Sequence, residues 1–169
     1  NNCTLQSAGL YSCDYNVGRP VNVAGGETKG FEVNFQMPVW NGFGVLANYT
    51  YSDASSSSGV PVPSNSKNIF NVSGYYENER FSARLSYNYR SKFFVDYDAE
   101  RGYRQLWSDS IASLDASASV NLTDQISLSL DAVNLTDEKQ TDNYDNDKNR
   151  PARIYKNGRM VFGGVRFKF

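Results

Sequence analysis

The last ten residues of the chain, Met160-Val161-Phe162-Gly163-Gly164-Val165-Arg166-Phe167-Lys168-Phe169, alternate in polarity up to the final residue. Successive side chains of a β-strand point to opposite faces. One face would carry Val161, Gly163, Val165, Phe167 and Phe169, and the other would carry Phe162, Gly164, Arg166 and Lys168. The ends of soluble domains usually fray, whereas this pattern is most regular at the end. The segment therefore predicts a strand held in a sheet up to its last residues.

The same period of two recurs along the chain and predicts an all-β fold. In one segment, for example, Leu85 and Tyr87 lie on an apolar face, while Arg84 and Ser86 lie on the opposite, polar face. The pattern predicts about seven strands, at about residues 28–37, 43–51, 67–76, 80–90, 109–121, 125–135 and 153–169.

Short and long connections alternate strictly between these predicted strands. The short ones lie at about residues 38–42, 77–79 and 122–124, and the long polar ones at about residues 52–66, 91–108 and 136–152. Transmembrane barrels have this arrangement because tight turns lie at the periplasmic end and long loops at the extracellular end. The sequence therefore predicts a transmembrane antiparallel up-and-down β-barrel with a periplasmic C-terminus. A soluble all-β binding domain is the alternative, although a sandwich does not sort its loops by length in this way.

The composition agrees with a membrane barrel. No run of residues approaches the ~18 apolar positions of a transmembrane helix, and a barrel needs none because only alternate residues face lipid. Aromatic residues make up 14% of the chain, and 12 residues are tyrosine. Tyr49, Tyr51, Tyr87 and Tyr89 lie near the long connections, where an aromatic girdle at a membrane interface would lie. A net charge of −1 without a basic cluster gives no reason to expect a nucleic acid partner.

The two cysteines, Cys3 and Cys13, lie in a stretch rich in Ser, Gly and Asn. Their spacing favours a disulfide in an oxidising compartment over two free thiols. The chain has no histidine, which makes a zinc site improbable. Residues 1–27 are therefore predicted to form an extracellular loop closed by a disulfide, and residues 28–169 to form the seven strands.

The end of the chain resembles the C-terminus of TonB-dependent outer-membrane receptors. The resemblance rests on Asp131-Ala132-Val133-Asn134-Leu135-Thr136-Asp137, on Tyr155-Lys156-Asn157-Gly158-Arg159 and on the final Gly-Val-Arg-Phe-Lys-Phe. In the family, an Asn-Leu-Thr/Ser-Asp/Asn motif closes the penultimate strand and a Gly-Arg step opens the last one. Gly26–Val33 and Tyr49–Asp53 also resemble strand entries and exits of the family. The last strand is most similar to the branch found in Xanthomonas and Caulobacter.

The resemblance implies a bacterial outer-membrane protein that uses TonB-relayed energy to take up a scarce nutrient, either a carbohydrate or oligosaccharide or a metal-siderophore. A passive outer-membrane porin is the alternative. The family's barrel has ~22 strands and a plugged lumen, so this chain would supply the last seven. Its implied partners are the other barrel strands and plug domain, the TonB complex, the barrel-assembly machinery and outer-membrane lipid. The assembly signal would consist of Gly164, Phe167 and Phe169.

No catalytic constellation is evident, because histidine and a Gly-x-Ser-x-Gly motif are both absent. We therefore expect neither an enzyme nor a cofactor. For ligand capture, the segment 91–108 is the best candidate, because its aromatic rings and arginines suit a sugar or an aromatic anionic siderophore. The candidate residues are Tyr97, Arg101, Tyr103, Arg104 and Trp107. The alternative is that Phe93, Phe94 and Trp107 belong to the aromatic girdle.

A calcium loop is a weaker hypothesis for the segment around residue 147. Asp145, Asp147 and Asn149 alternate potential oxygen ligands. An EF-hand loop needs a glycine next and a glutamate later, but Arg150-Pro151 follows instead. A solvated loop without metal is the favoured interpretation.

Overall fold

The computed structural model describes residues 3–5, 11–13 and 25–169, and their regular structure is almost entirely β. The strands are β1 (Cys3–Leu5), β2 (Tyr11–Cys13), β3 (Gly26–Trp40), β4 (Phe43–Ser56), β5 (Asn68–Glu77), β6 (Phe81–Arg90), β7 (Phe93–Asp98), β8 (Arg104–Ser108), β9 (Ile111–Asn121), β10 (Ile126–Val133), β11 (Gln140–Tyr144), β12 (Pro151–Tyr155) and β13 (Met160–Phe167). Among these described residues, no helix has the length and apolarity that a membrane crossing requires.

Seven of the strands form one antiparallel sheet in the order β13-β10-β9-β6-β5-β4-β3. Each strand therefore pairs with the next strand of the sheet along the chain, as in an up-and-down meander. These seven correspond to the seven strands that the alternation of polarity predicts. The sheet is not closed: β3 and β13 form its two edges.

The register places apolar residues of all seven strands on one face. The row Val45, Gly74, Leu85, Ala116, Ala132 and Val161 crosses six of them by direct pairing. Aromatic rings border this apolar face at two levels. Towards the long connections Phe70 stacks on Tyr89 at 4.9 Å between ring centroids, and towards the short turns Phe43 lies 4.7 Å from Tyr76.

The opposite, polar face carries a row of amides. Asn34, Asn48, Asn71 and Asn88 are direct partners across four neighbouring strands. Asn71 Nδ2 donates to Asn88 Oδ1, and Asn88 Nδ2 donates to Asp115 Oδ2 at 2.8 Å on β9. These side chains line an open groove of about 520 Å³. Because polar groups need partners, such a wall suits a watery or polar surface rather than lipid.

The first short connection is tighter than the sequence predicts. The predicted turn spans residues 38–42, but β3 continues to Trp40 and only Asn41 and Gly42 separate it from β4. Both residues have positive φ, 45° and 87°, as two-residue hairpin turns require. A bulge between Pro38 and Trp40 lets the strand continue past the proline.

The long connections are more ordered than the sequence predicts. Within 91–108 and 136–152 lie β7, β8, β11 and the start of β12, which form a four-stranded sheet in the order β12-β11-β8-β7. These strands extend β13, β10, β9 and β6 in the same lateral order. The predicted strand 153–169 is therefore two strands, β12 and β13, separated at residues 156–159. In the remaining long connection, residues 52–66, β4 extends to Ser56.

A disulfide joins Cys3 to Cys13, which are directly paired residues of β1 and β2. The prediction of this disulfide is confirmed. Of the predicted loop 1–27, the described residues are those of β1 and β2 and residues 25–27, and β3 already begins at Gly26. The remaining residues of this loop lie outside the described ones.

Candidate functional site

The β7–β8 hairpin of the four-stranded sheet has a tightly built tip. Asp98 caps a short 3-10 turn at Ala99–Arg101, where its Oδ1 accepts from the backbone N–H of Glu100 at 3.1 Å and of Arg101 at 3.3 Å. Gly102 and Tyr103 follow with φ of 75° and 58°. A positive φ is unusual for a tyrosine, and Tyr103 is 71% exposed. The backbone thus presents the Tyr103 ring to solvent.

Two contacts from the neighbouring hairpin hold this tip. The Tyr144 hydroxyl donates to Asp98 Oδ2 at 2.7 Å. Arg104 Nε donates to Asp145 Oδ2 at 3.0 Å, and its guanidinium lies 5.3 Å from the centre of the Tyr144 ring. The hydrogen bond from Tyr144 lowers the pKa of Asp98, and that from Arg104 lowers the pKa of Asp145. Both carboxylates therefore remain charged at neutral pH.

Aromatic packing supports the base of the same hairpin. Phe94 is 2% exposed and meets Tyr97 and Trp107 edge-on, at 5.1 and 5.6 Å between ring centroids. Trp107 Nε1 donates to Gln105 Oε1 at 2.9 Å, and Leu106 is 1% exposed. These contacts make a small core in a segment that the sequence predicts to be a loop.

The five predicted ligand-binding residues thus fall into two groups. Tyr97, Arg104 and Trp107 are engaged in contacts that build the hairpin. Arg101 and Tyr103 lie exposed at its tip, two residues apart. Within the part of the chain that the structure describes, Arg101 has no carboxylate within 4.0 Å of its guanidinium.

The sequence patterns did not predict a role for several polar residues of this sheet. Asp98 and Tyr144 anchor the tip, while Ser108, Asp142 and Asn143 are buried. Among the residues that the structure describes, Asp142 Oδ1 and Asn143 Oδ1 find no hydrogen-bond partner. One signal could have found Asp98, because an Asp followed four residues later by Gly is typical of a capped turn with a left-handed end. Nothing in a polar segment identifies which of its residues are buried.

The suggested calcium residues lie in the β11–β12 turn beside arginines. Asp145 Oδ2 contacts Arg104 and Arg150, and Asp147 Oδ2 lies 3.4 Å from Arg150 Nε. Asn149 donates from its backbone N–H to Asp147 Oδ1 at 3.0 Å. Among the described residues, no group of three or more acidic, histidine or cysteine side chains could hold a metal ion. A cation there would have to displace arginine.

The residues of the suggested assembly signal lie on or just beyond β13. Gly164 pairs with Ser129 and Phe167 pairs with Ile126, both on β10. The Phe169 side chain is exposed beyond the end of the strand. Val161, Val165 and Phe167 continue the apolar face, as the alternation of the last ten residues predicts.

Comparison with known proteins identifies the family. Residues 3–135 match the family described as TonB dependent receptor-like, beta-barrel. The fold is similar to the crystal structure of the siderophore receptor PiuA from Acinetobacter baumannii, with a TM-score of 0.60 and 22% sequence identity. That match covers 85% of this chain and 22% of the PiuA chain. None of the curated proteins is a significant match. The chain belongs to the TonB-dependent receptor β-barrel family, whose members are outer-membrane receptors and transporters rather than enzymes.

Proposed function

We propose that this chain forms part of the wall and ligand-capturing surface of an outer-membrane receptor that imports a scarce nutrient with TonB-relayed energy. The family membership and the apolar face of the seven-stranded sheet support this proposal. The observation that carries it is the anchored β7–β8 hairpin, which presents Arg101 and Tyr103 to solvent.

The orientation follows from the two kinds of connection. The apolar face lies against lipid, the short turns lie in the periplasm with the C-terminus, and the four-stranded sheet lies outside the cell. Unpaired strand edges cost several kcal/mol per group in lipid. The free edges of β3 and β13 therefore pair with other strands of the receptor barrel, which also surrounds a plug domain and contacts the barrel-assembly machinery. TonB acts through those other parts.

The two exposed tip residues contact the ligand, and the other three candidates position them. A tyrosine ring offers a stacking surface for a sugar ring or an aromatic group. A guanidinium offers a fork of donors for hydroxyl, carboxylate or catecholate oxygens. The ligand is therefore a carbohydrate or a metal-siderophore. The description of PiuA as a siderophore receptor supports the second class.

The double variant R101A/Y103A tests the proposal in the full-length receptor in detergent micelles. Binding of a ferric tris-catecholate, a ferric tris-hydroxamate and maltooligosaccharides would be measured by titration calorimetry. Losing a stacked ring and the guanidinium contacts should cost about 1–3 kcal/mol, which is a 5- to 150-fold weaker Kd for the ligand that binds.

The matched control is R153A/Y155A, which removes an arginine and a tyrosine at the same spacing from the edge strand β12. It should change the Kd less than twofold. Equal losses in the two double variants would contradict the assigned roles. Uptake of the bound ligand by cells should stop when a protonophore removes the inner-membrane energy, because a TonB-dependent receptor needs that energy and a passive porin does not.

A further inference from the structure

All four strands that continue from the seven-stranded into the four-stranded sheet are interrupted at one level. The interruptions lie at residues 91–92, 109–110, 134–139 and 156–159, which together form a junction between the two sheets. An interrupted strand leaves backbone groups that need other partners. At the first two interruptions the partners are backbone groups, since Ser91 N–H donates to Asn68 O and Asp109 N–H donates to Thr141 O, both at 2.9 Å.

At the third interruption one partner is again a backbone group, since Leu135 N–H donates to Leu114 O at 2.8 Å, and the other is a carboxylate on the polar face. Asp115 Oδ1 accepts from the backbone N–H of Asn134 at 2.8 Å, while its Oδ2 accepts from Asn88 Nδ2 at 2.8 Å. Hydrogen bonds to a charged acceptor are stronger than neutral ones. Asp115 therefore fixes the point at which the chain leaves β10 relative to the wall formed by β6 and β9.

The Asn134 side chain continues this connection across the junction. Its Oδ1 accepts from Glu138 N–H at 2.8 Å, and its Nδ2 donates to Glu138 O at 3.2 Å and to Gly158 O at 3.0 Å. Arg159 Nε adds a bond to Leu135 O at 2.8 Å. One side chain thus holds both ends of the segment 134–158, which carries β11 and β12.

An identical tetrapeptide elsewhere shows that the motif alone does not create this arrangement. Asn121-Leu122-Thr123-Asp124 has the same sequence as Asn134-Leu135-Thr136-Asp137. In the first copy, Asn121 Nδ2 donates to Glu79 O at 3.1 Å and Thr123 Oγ1 accepts from Ile126 N–H at 3.0 Å, which closes a short turn. Only the second copy lies beside a carboxylate that accepts its first backbone N–H.

We propose that Asp115 and Asn134 are positioning residues for the ligand-capturing surface. Together they fix β11 and β12 on the seven-stranded sheet. Tyr144 and Asp145 at the end of β11 in turn hold the hairpin tip through Asp98 and Arg104. That this positioning serves ligand capture rests on the proposed function. The positioning itself involves only the seven-stranded and the four-stranded sheet.

Hydrogen exchange in the ligand-free full-length receptor in detergent micelles tests the proposal. In D115A and in N134G, amides of residues 134–155 should exchange at least about tenfold faster, because each variant removes a side-chain attachment of the segment. Amides of β9 and β13 should stay within about twofold of the unmodified receptor. Glycine adopts the φ of 57° at position 134 without strain, so N134G carries the test if D115A does not assemble.

The variant D115N retains an acceptor oxygen and should restore most of the protection. The matched control N121G alters the other tetrapeptide and should leave residues 134–155 unchanged. Unchanged exchange in both D115A and N134G would overturn the proposal, as would an equal acceleration throughout the sheet or the same effect in N121G. Since no ligand is present, this outcome is independent of whether R101A/Y103A weakens binding.

Discussion

Leu85 offers a direct test of which face of the seven-stranded sheet meets lipid. It lies on the apolar face at the middle of β6 and is 50% exposed. Phe81 and Tyr89, the aromatic residues that border the apolar face on this strand, are each four positions away. The substitution Leu85→Arg places a permanent charge at that midpoint.

The expected cost follows from the depth of the site. Four residues span ~13 Å along a strand, and a tilt of ~40° reduces this to ~10 Å along the membrane normal. Leu85 therefore lies close to the centre of an apolar band ~25 Å tall, where an arginine on the lipid face costs about 2–4 kcal/mol. Tyr89→Arg, at the border of the band, should cost about 0–1 kcal/mol for the charge plus about 0.5–1.5 kcal/mol for lost stacking on Phe70.

The assay is the free energy of unfolding of the full-length receptor in phospholipid vesicles, measured by urea titration. Leu85→Ala serves as the control that shortens the side chain without adding a charge. L85R should lose clearly more stability than L85A, and more than Y89R once the ~0.5–1.5 kcal/mol of lost stacking in Y89R is subtracted. If L85R and L85A were equally stable, the apolar face would not lie in lipid.

Two further predictions concern the turns and the four-stranded sheet. At Gly42, where φ is 87° and an added Cβ would collide with the Glu77 carbonyl oxygen, Gly42→Ala should cost about 2 kcal/mol or more in unfolding free energy. Gly59→Ala, with φ of 74° but open space, should cost about 1 kcal/mol, and equal losses would refute the steric argument. The hydrogen bond from Tyr144 lowers the pKa of Asp98. The bond therefore contributes its full stability above about pH 3.9, the ordinary pKa of an aspartate, and this stability is lost as the pH falls through the lower pKa of the folded state. The protection factors of amides in residues 93–108, which are corrected for the intrinsic exchange rate, should therefore fall below about pH 4. Tyr144→Phe should weaken this dependence, and an unchanged pH profile in that variant would speak against the Asp98–Tyr144 bond.

The seven strands of the larger sheet were predictable because each presents apolar residues on one face and polar residues on the other. Different surroundings of the two faces impose a period of two, as in Leu85 beside Arg84. The break between β12 and β13 lies at Lys156-Asn157-Gly158-Arg159, four residues without an apolar side chain, although the predicted strand 153–169 runs through them. Hydrogen bonds from Asn134 and Arg159 hold the chain at this break, and no pattern within one strand reveals these tertiary contacts.

The four-stranded sheet was missed because its burial does not follow one face. Phe93 and Phe94 are adjacent in sequence and both buried, and so are Asp142 and Asn143. Consecutive buried residues need cover on both faces of a sheet, which no single-strand pattern reveals. The candidate site shows the same limit. The aromatic and arginine content of segment 91–108 made it the best candidate for ligand capture. Only the contacts of Arg104 and Trp107 separate the residues that build the hairpin from the exposed Arg101 and Tyr103.

We infer that the apolar face of the seven-stranded sheet faces lipid in the assembled receptor. A nitroxide scan of residues 81–90 in vesicles, one labelled cysteine at a time, measures it most directly through accessibility to oxygen and to a water-soluble nickel complex. If this face meets lipid, accessibility should alternate with a period of two. Positions 83, 85 and 87 should be accessible to oxygen, and positions 82, 84 and 86 should be accessible to the nickel complex or shielded from both. Uniform access of the nickel complex to both sets would contradict a membrane-spanning sheet.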